Sequence, residues 1–155
     1  MVARATAADV PEICVLQRCC WVSEAILNDT LDIPALHEDL DDIRAWVQTR
    51  LVWTVRRDGR LVGAVRAHQE GDRWEIGRLM VAPDLAGKGL GRWLLELAES
   101  HAPAQVRHFT LFTGARSERN QRMYTRAGYR LSTPPDGPGG HIKTAVFLTK
   151  AAAHT

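Results

Sequence analysis

Cysteine is scarce in this chain: Cys14, Cys19 and Cys20 are the only three in 155 residues, and two of them are adjacent. An odd, clustered set is poor material for a disulfide framework, and the three read as core fillers. Charge of one sign is lacking too. Twenty Lys plus Arg against 18 Asp plus Glu leave a formal net charge of +2. That excess is too small for a nucleic-acid coat or a membrane-surface protein. No apolar run approaches the ~18 residues a membrane helix needs, and Met1-Val2-Ala3-Arg4-Ala5-Thr6 has no apolar leader stretch. The expectation is a cytoplasmic protein with no membrane and no nucleic-acid partner. The six histidines (37, 68, 101, 108, 141 and 154) show no paired ligand spacing, so no metal is expected. Internal repeats and Ser/Gly linkers are missing, which makes residues 1–155 a single domain. What is present is ordinary globular material, 45% apolar and 25% charged, enough to bury a core.

The apolar period assigns the elements. A helix starts after Asp9 with Pro11 in its first turn, and Asn28-Asp29-Thr30 breaks it. A second helix runs from near Pro34, with Leu36, Leu40, Ile43 and Val47 recurring on one side. Leu51–Val55 and Leu61–Arg66 read as strands around the turn Arg57-Asp58-Gly59-Arg60. A third strand, Trp74–Val81, runs into Gly87-Lys88-Gly89-Leu90-Gly91 and a helix with Leu90, Leu94, Leu97 and Ala98 on one face. Phe109–Thr113 is a strand, Ser117–Ala127 a helix with Gly128 as its glycine cap, and Tyr129–Ser132 and Thr144–Leu148 a final strand pair. Strand meanders flank a βαβαβ centre, so the class is α/β (α+β), with a mixed, mostly antiparallel sheet.

The informative feature is a strand, three alternating glycines and a helix. Glycines at 87, 89 and 91 let the backbone turn tightly and let a ligand approach the amide groups without a Cβ in the way. Unpaired N–H groups in the first helical turn, with the helix dipole, favour a phosphate or pyrophosphate. Lys88 and Arg92 add positive charge. A Walker loop would need Gly-Lys-Ser/Thr at its end, and a dinucleotide fingerprint would need G-x-G-x-x-G. The chain has neither.

The stretch Leu79-Met80-Val81-Ala82-Pro83-Asp84-Leu85-Ala86-Gly87-Lys88-Gly89-Leu90-Gly91-Arg92 resembles the acyl-CoA-binding motif of the GNAT acetyltransferase superfamily. Ser117-x-x-Asn120-x-x-x-Tyr124-x-x-x-Gly128-Tyr129 is similar to the family's second motif, and the element order matches the family fold over nearly the whole chain. Two positions depart from the pattern. Ala86 stands where Arg or Gln is usual, and Ser117 where Asn often begins the second motif.

The resemblance implies direct transfer of an acetyl group from acetyl-CoA to an amine, with no covalent enzyme intermediate. It implies cofactor contacts from Leu79, Met80 and Val81, from Ala86, Gly87, Lys88, Gly89, Leu90, Gly91 and Arg92, and from Ser117, Asn120 and Tyr124. Arg78 and its neighbours would offer main-chain groups to the pantetheine arm as if to an added strand. Ser117, Asn120 and Tyr124 fall at i, i+3 and i+7 on one helix face. Tyr124, a phenol with pKa near ~10, suits protonation of a departing thiolate. Glu75 is the candidate base, and strand alternation puts it on the same side as Leu79. The plain alternative for Glu75 is a surface carboxylate paired with Arg73 or Arg66.

The resemblance also implies that the acceptor, a small-molecule or peptide amine, lies between the first two helices and the last strand pair. Trp21, Glu24, Asp29, Asp32, Glu38 and the loop 134–141 lie there, and their acidity suits a cationic amine. The run Asp39-x-Asp41-Asp42 reads as a solvated helix face. A homodimer is left open. The competing function is a non-catalytic acyl-CoA-binding or sensing module. An acetyltransferase acting on charged tRNA would want a basic surface, against which the acidic second helix speaks.

Overall fold

The computed structural model describes residues 1–134 and 145–153. Seven strands form one sheet: β1 (Val2–Arg4), β2 (Leu51–Arg57), β3 (Arg60–Glu70), β4 (Arg73–Val81), β5 (His108–Gly114), β6 (Arg130–Ser132) and β7 (Ala145–Ala151). The spatial order is β1-β2-β3-β4-β5-β7-β6, and every pairing is antiparallel except that of β4 with β5. This is the mixed, mostly antiparallel sheet that the sequence implied. The β2–β3 hairpin turns through Asp58 and Gly59, both at positive φ (51° and 80°), the geometry a two-residue turn demands. β1 went unforeseen because three residues carry no readable alternation.

The helices are α1 (Val10–Leu27), α2 (Pro34–His37), α3 (Leu40–Thr49), α4 (Leu90–Ser100) and α5 (Glu118–Arg126). The single helix expected from Pro34 onward is two. Asp39 leaves the helical region and caps α3, its carboxylate accepting from the Asp42 amide at 2.9 Å while Asp42 accepts from the Asp39 amide at 3.0 Å. Two of the acidic residues read as a solvated face are thus a reciprocal cap. The D-x-x-D spacing carried that signal.

Two cores lie on opposite faces of the sheet. Val10, Ile13 and Leu16 of α1 and Ile43, Trp46 and Val47 of α3 pack on Val52, Val62, Ala64 and Met80. On the other face, Leu94, Leu95 and Ala98 of α4, with Tyr124 of α5, pack on Val65, Ala67, Trp74, Ile76 and Leu111. The buried apolar stripe of α4 follows its 3.6-residue period.

β4 carries a bulge that positions the site. Ala64 pairs with Met80 and Arg66 with Gly77, so β4 spends one more residue than β3 over this stretch, and Arg78 takes φ +48°. The extra residue swaps the faces of β4. Trp74 and Ile76 enter the α4 core ahead of the bulge; Leu79 and Val81 pack there after it, while Met80 enters the α1/α3 core. The expectation that Glu75 and Leu79 share a face is therefore wrong: unbroken alternation was assumed, and the bulge inverts it.

Candidate active site

β4 and β5 diverge. Their parallel pairing covers only Arg73–Glu75 against His108–Thr110. β5 continues with β7 as far as Gly114, while β4 from Ile76 onward has no strand on that side among the described residues. A wedge opens between two neighbouring strands, bordered by the main chain of Arg78, Leu79, Met80 and Val81. The Met80 side chain is buried under α1 and leaves only its backbone to the wedge. The Val81 carbonyl accepts from the Cys20 thiol at 3.2 Å, and burial pushes that thiol up to about 11. Cys20 is a packing residue.

The glycine turn closes the wide end of the wedge. After the short turn Pro83–Leu85, Gly87 and Gly89 sit at φ +82° and +88°, and Gly89 caps α4. The first backbone bond of the helix is the Trp93 amide to the Gly89 carbonyl at 3.1 Å. The amides of Leu90, Gly91 and Arg92 come before it and have no carbonyl to meet. A Cβ on Gly89 would touch nothing within 4 Å, so its requirement is conformational, not steric. Arg92 turns along the helix to Glu96 at 2.9 Å. A second cation comes from elsewhere: Arg119 Nη2 lies 2.8 Å from where a Cβ on Gly87 would stand. Nothing in the spacing singled out Arg119, because α5 brings it across the loop from a distant part of the chain.

The second motif gathers on Glu24 of α1. Ser117, 2% exposed, donates its hydroxyl to Glu24 Oε2, and Asn120 Nδ2 donates to Oε1 at 3.1 Å. Asn28 Nδ2 donates to Ser117 Oγ at 3.2 Å, and Asn28 Oδ1 accepts from the Arg116 amide at 2.9 Å. Gly114 admits this close approach: a Cβ there would fall 2.5 Å from Asn28 Nδ2 and 2.6 Å from Ser117 Oγ. Tyr124 is buried, its ring 6.0 Å from that of Tyr129. Burial, then the negative charge of Glu24, raises the Tyr124 pKa. The phenol stays protonated at any working pH.

Glu75 faces neither Arg73 nor Arg66 as a partner. Its oxygen lies 3.5 Å from His68 Nε2, with Glu70 at 3.8 Å from the same nitrogen and Arg73 turned to Glu70. Burial lowers the His68 pKa against the pull of Glu75. His68, Glu70 and Glu75 each offer one ligand atom within 4.8 Å, a grouping that exposed acids often make without an ion. Sequence reasoning passed over His68 because its register partner across the hairpin is not visible in one strand.

Of the expected acceptor residues, Glu38 accepts from Arg78 at 3.0 Å and from Gln17 at 2.9 Å, and Arg78 sits 5.7 Å from the Trp21 ring. Asp29 and Asp32 are exposed on the α1–α2 connection. In the loop 134–141, residues 135–141 lie outside the described residues. No helix among those described is long and apolar enough to cross a membrane.

The sequence profile described as "Acetyltransferase (GNAT) family" matches residues 13–129. The chain is 31% identical over 121 residues to the IAA acetyltransferase of Azospirillum brasilense, covering 76% of this chain and 78% of that one. It is 29% identical over 137 residues to the UPF0157 protein YqkA of Bacillus subtilis, covering 88% of this chain and 39% of that one. It spans about two fifths or less of the length of several curated relatives. In fold, it is similar to N-acetylglutamate synthase from Neisseria gonorrhoeae complexed with coenzyme A and N-acetyl-glutamate, with a TM-score of 0.76 and 18% identity over 99% of this chain and 35% of that one. The diverging strands, the glycine turn at a helix N-terminus and the match over residues 13–129 agree: this chain belongs to the GNAT family of acetyltransferases.

Proposed function

We propose that this chain, acting as one catalytic domain, transfers an acetyl group from acetyl-CoA to a primary amine by direct attack. The wedge between β4 and β5 carries the reading. An unpaired strand edge that ends at a glycine-capped helix suits an extended, amide-bearing arm leading to a pyrophosphate. The N-acetylglutamate synthase neighbour is complexed with coenzyme A, which supports the same ligand here.

In this reading the amides of Leu90, Gly91 and Arg92 take the pyrophosphate, and Lys88 and Arg119 add positive charge. Ala86 contributes backbone only, and Arg119 occupies the neighbourhood that a longer side chain at 86 would have served. The backbone at Arg78–Val81 aligns the thioester, and preorganised amides there stabilise charge developing on its carbonyl oxygen. Amine attack forms the C–N bond as the C–S bond breaks. Tyr124 gives its proton to the departing thiolate sulfur.

Glu75 takes the proton from the amine nitrogen. It stands three residues before the bulge, ~10 Å along the strand, so the transfer runs through water. Glu24 is the other carboxylate beside the wedge, but both its oxygens already accept from Ser117 and Asn120. We assign Glu24, Ser117 and Asn120 the task of holding α1 and α5 together around Tyr124.

Calorimetry with acetyl-CoA, followed by thiol release against a panel of amines, tests the proposal. Binding with turnover is expected. Binding without thiol release above background would mark an acyl-CoA-sensing module, and no binding at millimolar acetyl-CoA would overturn the cofactor assignment.

A further inference from the structure

Arg66 is a partly buried cation that meets no carboxylate among the described residues. It lies on β3 opposite Gly77 of β4, next to the bulge, with its guanidinium carbon 4.8 Å from the centre of the Trp46 ring. Its Nε is sealed from solvent with no hydrogen-bond partner, and its terminal nitrogens are not sealed in the same way. The Trp46 indole N–H, on the ring against which Arg66 stacks, is also buried without an acceptor. Trp46 itself is 5% exposed. Two neighbouring donors therefore lack an acceptor among the described residues.

Leaving a charged donor buried and unmatched is costly, and a guanidinium does not escape by losing its proton. The surroundings make matters worse. Burial lowers the Arg66 pKa, and Arg78 and Arg50 add like charge. The two described carboxylates whose charge acts on it have other obligations, Glu38 to Arg78 and Gln17, and Glu75 to His68. By contrast Arg56, Arg60, Arg78 and Arg92 all meet a carboxylate in the fold. Gly77 sets no side chain in front of Arg66: a Cβ there would stand in van der Waals contact with Nε at 3.7 Å, and a larger side chain would reach over the guanidinium.

We infer that the terminal nitrogens of Arg66, beside the Trp46 ring, bind a carboxylate carried by the acceptor, which makes the acceptor an amino acid or a similar amino-carboxylate. The inference rests on the acetyltransferase reading for the word acceptor, but the anion site stands on its own geometry. The planar fork of arginine matches the two oxygens of a carboxylate, and a flat group fits beside an indole face better than a tetrahedral one. Arg66 lies one strand from the bulge, so a carboxylate held there leaves the amine of a short amino acid facing the thioester position. The acidic residues noticed in the sequence do not contradict this, because Glu38 and Glu75 are already matched by Arg78 and His68.

The test uses three compounds with one skeleton: L-alanine, L-alaninamide and 1-aminoethylphosphonate. Binding is read by calorimetry on the full chain with and without acetyl-CoA, and turnover by thiol release. The carboxylate is expected to bind ~10–100-fold more tightly than the carboxamide, the range for a hydrogen-bonded charge. Arg66→Met should erase that preference while the ligand-free protein melts at or above the wild-type temperature, because an uncompensated buried charge has gone. Gly77→Val, which keeps every charge and reaches over the guanidinium, should erase it too and serves where Arg66→Met does not fold. Equal binding of carboxylate and carboxamide, or a preference that survives both substitutions, overturns the inference. Preference for the phosphonate overturns the carboxylate assignment. Acetyl-CoA binding without carboxylate preference sinks this inference alone; carboxylate preference without acetyl-CoA binding sinks the acetyltransferase reading alone.

Discussion

Ser117 donates its hydroxyl to Glu24, tying the start of α5 to α1 across the open end of the sheet. The same hydroxyl oxygen accepts from Asn28, and both residues crowd Gly114. Gly114→Ala is therefore expected to destabilise the protein by about 1–3 kcal/mol, since neither neighbour is the free end of a flexible chain. A urea titration measures it. An unchanged midpoint would mean that the network yields more readily than its contacts indicate.

The fold was legible where one strand or helix carries its own pattern, and illegible where two must meet. Asp58-Gly59 announced a hairpin, and the period of Leu90, Leu94 and Ala98 announced α4. The bulge at Arg78 left no mark in the local pattern, because a single extra residue shows only against the register of β3. Arg119, and the pairing of Glu24 with Ser117 in place of its expected acceptor role, were obscure for a similar reason: one reaches Gly87 and the other Ser117 from far away in sequence. The D-x-x-D cap at Asp39 was readable and was read as a solvated face, since acidic runs are more often that.

Gly89→Ala separates strain from space. The position has room for a Cβ but holds φ +88°, which costs an L-residue ~1–2 kcal/mol. Relief of that strain moves the amides of Leu90 and Gly91, so acetyl-CoA affinity should fall about tenfold or more. Arg119→Ala should also weaken binding, and with a shallower salt dependence than the wild type, because a charge has been removed. Calorimetry at two ionic strengths reads both effects. Wild-type affinity and salt dependence in Arg119→Ala would place that cation outside the phosphate site.

Arg56 joins the start of α1 to β2, meeting Asp9 at 2.7 Å and Glu12 at 2.9 Å. At Asp9, burial alone would raise the pKa, but the Thr6 amide and Arg56 together outweigh it and leave the pKa lowered. A carboxyl with a lowered folded pKa adds stability above its unfolded value near ~3.9, and that stability is lost as pH falls through the folded value. Arg56→Met should thus melt below the wild type at pH 6 and approach it below pH 3. Parallel melting curves across that range would show that the pair does not govern the acid limb.

Tyr124→Phe should lower kcat by ~10²–10⁴, the span for a general acid, with acetyl-CoA affinity held within a few-fold. Because its pKa is raised by burial and by Glu24, Tyr124 gives the wild type no alkaline limb to lose. The profile of the variant should keep its form at a lower level. Full activity in Tyr124→Phe would move the proton source to solvent.

Glu75 and His68 share a contact, so variants of both are needed to test Glu75 as the group that takes the amine proton. If Glu75 is the base, Glu75→Gln lowers kcat/KM by ~10²–10⁴ at neutral pH and removes the ascending limb. Raising the pH then rescues part of the loss, because more of the amine arrives unprotonated. His68→Gln in that case keeps most of the rate, since the carboxylate still works. If His68 is the base, the roles reverse. His68→Gln removes the limb, and Glu75→Gln shifts it to lower pH by taking away the negative charge that supports the imidazolium. An unchanged rate and profile in Glu75→Gln, measured with a saturating acceptor, would remove Glu75 from the chemistry and leave it an ion-pair partner on the β3–β4 hairpin.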